Sequence, residues 1–450
     1  MFTRDKDFYR TFLRLCLALM LEQAVILSVN LADNLMLGTY SEAALSGVAA
    51  VNQIQFVYQQ LVYAIGNALI ALASQYWGQR RLREIRALSA IGVRLELLLA
   101  AALFAAVSLF PEGALRLFTD QPLFVAEGAA YLRIIRFSYP FFALTAVLLS
   151  AMRSVESVKI ALRVSVVSLI INVSINYLLI AGNLGAPELG ARGAAIGTLV
   201  ARIVEFIIVF TFVLRDEKLG MRLRGFLETS APLFRDFIRV SLPTVGAALL
   251  WGLTNALQTV ILGHMNDSAI AAQSISNTAF LLLKVTAVGA ASAASVIIGK
   301  SVGEGDMRRV RIYTRTLQMI FVGIGLTLCA VMLSIRLPLL RVYAPKISEQ
   351  TYGLANAYML IQAAVLMLTS YQMSVNAGIV RGGGDARFIL YLDMMTLFVF
   401  MPLAWMGGLV WRWQPIAVIL CMNADQLIKC FPAFFYVNSY RWVHKLTRDE

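Results

Sequence analysis

Apolar residues run through this chain in stretches too long for a strand and without the two-residue alternation of a sheet face. Twelve such stretches are legible, at about 12–38, 47–75, 86–110, 124–151, 160–183, 193–214, 236–262, 270–299, 312–335, 350–379, 388–411 and 414–438. A helix of about 20 apolar residues crosses a hydrocarbon layer of ~30 Å, and every stretch reaches that length. Alternating segments of the barrel type do not occur, and in lipid only helices and closed barrels satisfy their own backbone. The pattern predicts an all-α membrane protein with twelve transmembrane helices.

The second half of the pattern repeats the first at an offset of 225 residues, half of the 450. Asn30, Leu37, Gly38, Ala44, Asn52, Ala68, Gly78, Arg83 and Arg86 return without a gap as Asn255, Leu262, Gly263, Ala269, Asn277, Ala293, Gly303, Arg308 and Arg311. Six helices per half give both halves the same orientation, a parallel internal repeat about an axis along the membrane normal. The expected organisation is an N-lobe of six transmembrane helices over 1–214, a cytoplasmic linker over 215–235 and a C-lobe of six more over 236–450. A cleft between two such halves is the natural place for a substrate.

With 59% hydrophobic and 14% charged residues, the composition excludes an ordinary soluble domain. The formal charge of +13 informs through its placement. Arg80, Arg81, Arg83 and Arg86 follow the second stretch, Arg153, Lys159 and Arg163 the fourth, and Lys300, Arg308, Arg309 and Arg311 the eighth. The middle region adds Arg215, Lys218, Arg222, Arg224, Arg235 and Arg239, whereas 39–46 and 264–269 carry no Lys or Arg. The positive-inside rule then places the linker and both termini in the cytoplasm and reads the charge as topology, not as a nucleic-acid surface. The first apolar run is too long for a signal peptide and lacks a small-residue cleavage site. It is read as an uncleaved span in the plasma (inner) membrane of a prokaryote. Cys16, Cys329, Cys421 and Cys430 fall inside spans with no metal or redox spacing and read as apolar filler.

A charge near the bilayer centre costs about 2.5–3.5 kcal/mol, which makes each intramembrane charge a functional candidate. Glu22 and Asp33 are 11 residues apart, close to three turns, and share a face of the first span, with Asn30 and Asn34 beside Asp33. Asn172 and Asn176 stand one turn apart in the fifth span, and Thr198, Arg202 and Glu205 lie in the sixth. Arg202–Glu205 and Asp425–Lys429 have the spacing of intrahelical ion pairs and read first as structural. Asp393 lies in the eleventh span, and Lys284 in the eighth has no obvious local partner. The second span carries Asn52, Gln53, Gln55, Gln59, Gln60 and Asn67, which cannot all face lipid. Gln53, Gln59, Asn67, Gln258, Asn277 and Lys284 are the candidates for a substrate cavity.

Several motifs recur in a telling order: LADNLMLG closing the first span, SQYWG closing the second, INYLLIAGNLGAPELGARGAAIGTLVAR, LP at 242–243, and RGGGD at 381–385. Together they resemble the multidrug and toxin extrusion family, within the multidrug/oligosaccharidyl-lipid/polysaccharide exporter superfamily, over almost the whole chain. The resemblance implies a cation-coupling site at Asp33, Asn172, Asn176 and Thr198, taking H⁺ or holding Na⁺. Glu22, Asn30, Glu205, Asp393, Asp425 and Lys429 are secondary candidates. Asn176 stands where several relatives have a second carboxylate, which weakens a Na⁺ site. Gln258, at the repeat position of Asp33, leaves the second half without the corresponding acid. RSVES at 153–157 replaces a glycine-rich turn, and the first span lacks the family's proline.

The function so implied is secondary active export of small amphipathic, often cationic compounds against H⁺ or Na⁺ by alternating access. It needs the lipid bilayer, no cofactor beyond the ion and no nucleic acid, and one chain with two lobes suffices as a monomer. The alternative is a flippase for lipid-linked saccharide or another amphipathic metabolite. That cargo favours a cationic cavity, for which Arg94, Arg133, Arg136, Arg202 and Lys284 are the intramembrane cations. An enzyme lacks materials: His264 and His444 fall outside the spans. GKS at 299–301 ends an apolar helix, with Ala294 in place of the leading glycine of a phosphate loop.

Overall fold

The computed structural model describes residues 3–116, 118, 121–222, 225–226, 230–265 and 267–448; Arg224 of the basic series lies outside them. Among the described residues there is no strand. Eleven helices are long and apolar enough to span a membrane, and a pair bent by 56° makes a twelfth span, in agreement with the twelve apolar stretches. The first half contains α1 (Lys6–Tyr40), α2 (Glu42–Gly78), α3 (Leu82–Leu109), the short α4 (Pro111–Arg116), the bent pair α5 (Pro122–Ile135) and α6 (Ser138–Ser154), α7 (Lys159–Leu179) and α8 (Ala191–Arg215). The second contains α9 (Ala231–Gly263), α10 (Asp267–Gly303), α11 (Met307–Tyr343) and α12 (Glu349–Met373), which widens into a π-helix over Ser374–Val380. It ends with α13 (Arg387–Met395) and α14 (Met401–Trp405), joined by a π-helical stretch into one span, and α15 (Pro415–Ser439).

Two local features depart from the sequence reading. The fourth stretch reads as one helix, yet the chain breaks at Arg136–Phe137. Pro140 has no N–H to give the Arg136 carbonyl, and its ring crowds that oxygen, so the helix must restart. Arg153, expected in a cytoplasmic turn, instead lies in the last turn of α6 and points into the protein. The turn that follows still needs one left-handed residue, and Glu156 supplies it at φ 61° in place of a glycine.

The chain divides into two compact units, Leu21–Ala73 with Arg80–Ser241, and Leu242–Glu450 with Met1–Met20 and Ser74–Gln79. Two short pieces of the first half therefore pack with the second. The Phe8 ring lies 4.5 Å from that of Tyr313, and Thr3 donates its N–H to Thr316 Oγ1 at 3.1 Å. The end of α2 lies against the end of α10 at glycines. A Cβ on Gly303 would stand 1.9 Å from the Gln75 carbonyl, and one on Gly78 would stand 2.2 Å from the Lys300 carbonyl. Gly78 and Gly303 are partners in the 225-residue repeat, so the duplication places a glycine on each side of this contact.

The same unit is sealed by the C-terminal segment. Trp442 is fully buried, donates its indole N–H to the Val437 carbonyl at 2.8 Å and lies on Gly383, where no side chain fits. Gln75 then donates to the His444 carbonyl at 3.2 Å and accepts the Leu446 N–H at 2.8 Å, while Gln79 donates to Thr447 Oγ1 at 2.7 Å. Two motifs of the sequence thus act structurally. SQYWG binds the tail, and RGGGD makes room for Trp442.

Gly303→Ala forces the α2 and α10 backbones apart and is expected to lower stability by about 1–3 kcal/mol, the cost of overpacking. Gly323→Ala in α11, where a Cβ meets nothing within 4 Å, serves as the neutral control. Thermal unfolding of the two purified variants in detergent distinguishes them.

Candidate functional site

The hairpin of α7 and α8 builds the site in the first unit. Its connection turns through Gly182 and Gly185, at φ 68° and 81°, and the Leu189 N–H bonds the Leu179 carbonyl at 2.9 Å. This register sets the small residues of α8 against α7. A Cβ on Gly193 would stand 2.5 Å from the Leu179 carbonyl, and one on Gly197 would stand 2.1 Å from Asn176 Oδ1. Gly197 is therefore the space that the Asn176 carboxamide occupies.

From there a polar chain crosses three helices. Asn176 donates from Nδ2 to Asp33 Oδ1 of α1 at 2.5 Å and to Asn172 Oδ1 at 3.3 Å, and Asn172 donates to Thr198 Oγ1 of α8 at 3.2 Å. Both asparagines are essentially unexposed, whereas Asp33 is half-buried. The four residues named for the cation-coupling site from sequence thus form one hydrogen-bonded cluster. Asn176 Oδ1, packed at Gly197, is buried with no hydrogen-bond partner. An ionised Asp33 accepts only, which orients the Asn176 amide with its NH₂ toward the carboxylate; a protonated Asp33 donates instead, to an amide oxygen.

Two cavities adjoin the cluster, of about 60 Å³ and 40 Å³. Asn30, Gln59, Thr198 and Arg202 line both, Asp33 lines the larger, and Asn172 and Glu205 line the smaller. Each has room for several waters. Of the two lining carboxylates, Glu205 is ion-paired to Arg202 at 2.6 Å, while Asp33 is held by the neutral amide of Asn176 and makes no ion pair among the described residues. Arg202 is further held over the Phe142 ring at 4.9 Å. Glu22, on the same helix as Asp33, is buried and paired with Arg153 of α6. A guanidinium thus pairs with Glu22 and with Glu205, and none is ion-paired to Asp33 among the described residues.

The candidates of the second unit form a separate network. Lys429 bridges Asp393 at 3.0 Å and Asp425 at 3.2 Å, so the expected i,i+4 pair gains a third member from α13. Asp425 also accepts from Thr396 at 3.0 Å and Gln426 at 2.9 Å. Lys284 lies over the rings of Trp251 at 5.3 Å and Phe280 at 5.8 Å, a cation–π environment that sequence spacing did not disclose. Of the substrate-cavity candidates, Gln59 lines the cavities described; Gln53 and Asn277 are exposed, and Asn67 and Gln258 are half-buried. One residue of interest escaped the sequence reading altogether. Glu96, in the apolar run of α3, is completely buried with both carboxyl oxygens unbonded. Its signal was a lone acid in mid-span.

Gly197→Ala pushes the Asn176 carboxamide off its place and is expected to cost far more activity than stability. Substrate flux on the order of tenfold lower, with a melting temperature near that of wild type, is the predicted pair of readings.

The MatE family matches residues 18–178 and 243–406, most of the chain. The chain is 22% identical to an uncharacterized transporter, YisQ, of Bacillus subtilis, covering 98% of this chain and 96% of that protein. It is 24% identical to a probable multidrug resistance protein, NorM, of Rhizobium meliloti, covering 83% and 81%. A solved structure of a MOP superfamily transporter from Pyrococcus furiosus shares the fold at a TM-score of 0.87 over 100% of both chains, with 18% identity. The chain belongs to the MatE family, the multidrug and toxin extrusion transporters, and is a multi-pass membrane transporter rather than an enzyme.

Proposed function

We propose that this protein exports small amphipathic, often cationic compounds across a bacterial plasma membrane by alternating access, driven by H⁺ entering through Asp33. The observation that carries this reading is that Asp33, of the two carboxylates lining the adjoining cavities, makes no ion pair among the described residues, while Glu205 is locked to Arg202. Protonation removes that negative charge and reverses the hydrogen-bond polarity toward Asn176. A change of that kind biases one arrangement of the helices over another, because a ligand shifts an equilibrium by its differential affinity for the two states. The lobes that move are the two six-helix halves, 1–214 and 236–450, joined by the cytoplasmic segment 215–235, with both termini on the cytoplasmic side. One chain acts as a monomer and binds no nucleic acid.

The proton is favoured over Na⁺ by the donor set. A hard cation takes oxygen ligands, and here an amide N–H faces Asp33 Oδ1 and another faces Thr198 Oγ1. The lipid-linked saccharide alternative calls for free cations on the cavity wall, and Arg202, which lines both cavities, is tied to Glu205. Names of relatives such as NorM, a probable multidrug resistance protein, support drugs or toxins as cargo.

In proteoliposomes, an inward-directed pH gradient is expected to drive ethidium flux, and Asp33→Asn to reduce it on the order of tenfold or more. A gradient of Na⁺ alone that drives the wild type would overturn the proton assignment. Failure of both gradients would overturn the export reading. Asn176→Asp, which adds an oxygen and a charge to the cluster, is expected to make flux respond to Na⁺.

A further inference from the structure

Glu96 belongs to no ion pair, no hydrogen bond and neither cavity among the described residues, yet it is wholly inside the first unit. Its position on α3 shows where it points. Gly92 and Ala100, one turn before and after, share its face, and both are buried. A Cβ on Gly92 would stand 2.8 Å from Val147 of α6 and 3.7 Å from Leu69 of α2. Ala100 belongs to the same apolar cluster as Tyr58 and Tyr139. The carboxyl therefore sits between α2, α3 and α6, away from lipid and from the helix ends.

A carboxylate there, with no donor for either oxygen, costs far more than the neutral acid. Buried polar groups without partners are rare enough to need an account. The groups that face Glu96 supply one. Tyr58 of α2 belongs to the same buried cluster as Ala100, one turn from Glu96, and also lines the cavity that contains Asp33. The Tyr58 hydroxyl donates to the Tyr139 carbonyl of α6 at 2.9 Å. Arg94, the nearest cation on α3, is turned to the Phe226 carbonyl at 2.9 Å. Tyr58 thus belongs both to the buried cluster beside Glu96 and to the wall of a water-sized cavity.

We propose that Glu96 is a second proton-carrying site of the transport cycle, loaded in the conformation described here and discharged past the Tyr58 hydroxyl into the Asp33 cavity. The inference rests on the proton-coupled reading above. The step moves one proton and no electrons. The Tyr58–Tyr139 hydrogen bond opens and admits cavity water to the carboxyl, the O–H bond of Glu96 breaks as that water accepts the proton and carries it past Tyr58 into the cavity, and the Glu96 carboxylate is left to be reloaded later in the cycle.

The test uses the full chain, purified in detergent at neutral pH, with ethidium as the probe. Infrared spectra are expected to contain a protonated-carboxyl band that Asp33→Asn keeps and Glu96→Gln removes. On saturating ethidium in weakly buffered medium with a pH-sensitive dye, the wild type is expected to release one proton more per molecule than Glu96→Gln. Glutamine matches glutamic acid in shape, and Tyr58→Phe, which lacks the hydrogen bond that must open, gives an independent reading by speeding release on the order of tenfold without changing the count. A band that survives Glu96→Gln, or a release count the substitution leaves unchanged, overturns the Glu96 assignment and leaves Asp33 coupling standing. Unchanged kinetics in Tyr58→Phe overturns the route. A wild type that binds ethidium and releases no proton overturns both this inference and the proton-coupled reading.

Discussion

Water is scarce in the hydrocarbon layer, so a polar side chain buried there must find its partner on the protein. Asn176 shows how far that requirement reaches. Its carboxamide, with no exposed surface, joins Asp33 to Asn172 and through it to Thr198. It can do so only because Gly197 leaves a space of its size, and Gly197 faces it only because the turn at 180–190 fixes how α8 lies on α7. The glycines of this hairpin, the register of its helices and the electrostatics of Asp33 are one constraint seen at three scales.

The intramembrane charges fall into two sets by the same logic. Glu22 with Arg153, Glu205 with Arg202, and Asp393 and Asp425 with Lys429 are matched. Removing one partner of such a pair costs about 3–5 kcal/mol, because it strands a buried charge. Asp33, Glu96 and Lys284 have no opposite charge in contact among the described residues. A group whose charge can change without breaking a pair is the group a coupling ion can act on. Pairing therefore separates these groups more sharply than burial does, since Glu22 and Glu96 are both buried.

Motifs carried less of the function than their distinctiveness suggests. SQYWG and RGGGD are among the sequence's clearest signatures, and both serve the C-terminal segment: Gln75 and Gln79 hold its backbone and Thr447, and Gly383 receives Trp442. INYLLIAGNLGAPELGARGAAIGTLVAR, by contrast, shapes the hairpin that places Asn176. Glycine in each case marks a close approach, and the sequence does not say of what.

Twelve apolar stretches, a 225-residue repeat and a helical fold were legible without coordinates, because crossing a membrane fixes length and hydrophobicity residue by residue. The cluster of Asp33, Asn172, Asn176 and Thr198 was nameable because polar residues stand out against an apolar background and because a family resemblance aligned them. Intrahelical pairs such as Arg202–Glu205 were legible too, since helical spacing alone brings them together. Contacts between distant segments were decided only by the tertiary structure. The pairing of Glu22 with Arg153, the packing of α2's end with the second half and the stranding of Glu96 each depend on which helix faces which. Hydrophobic pattern sets a helix's length and its right to cross the bilayer. In a chain that is apolar on nearly every side, it does not set rotation, and rotation decides which charges meet.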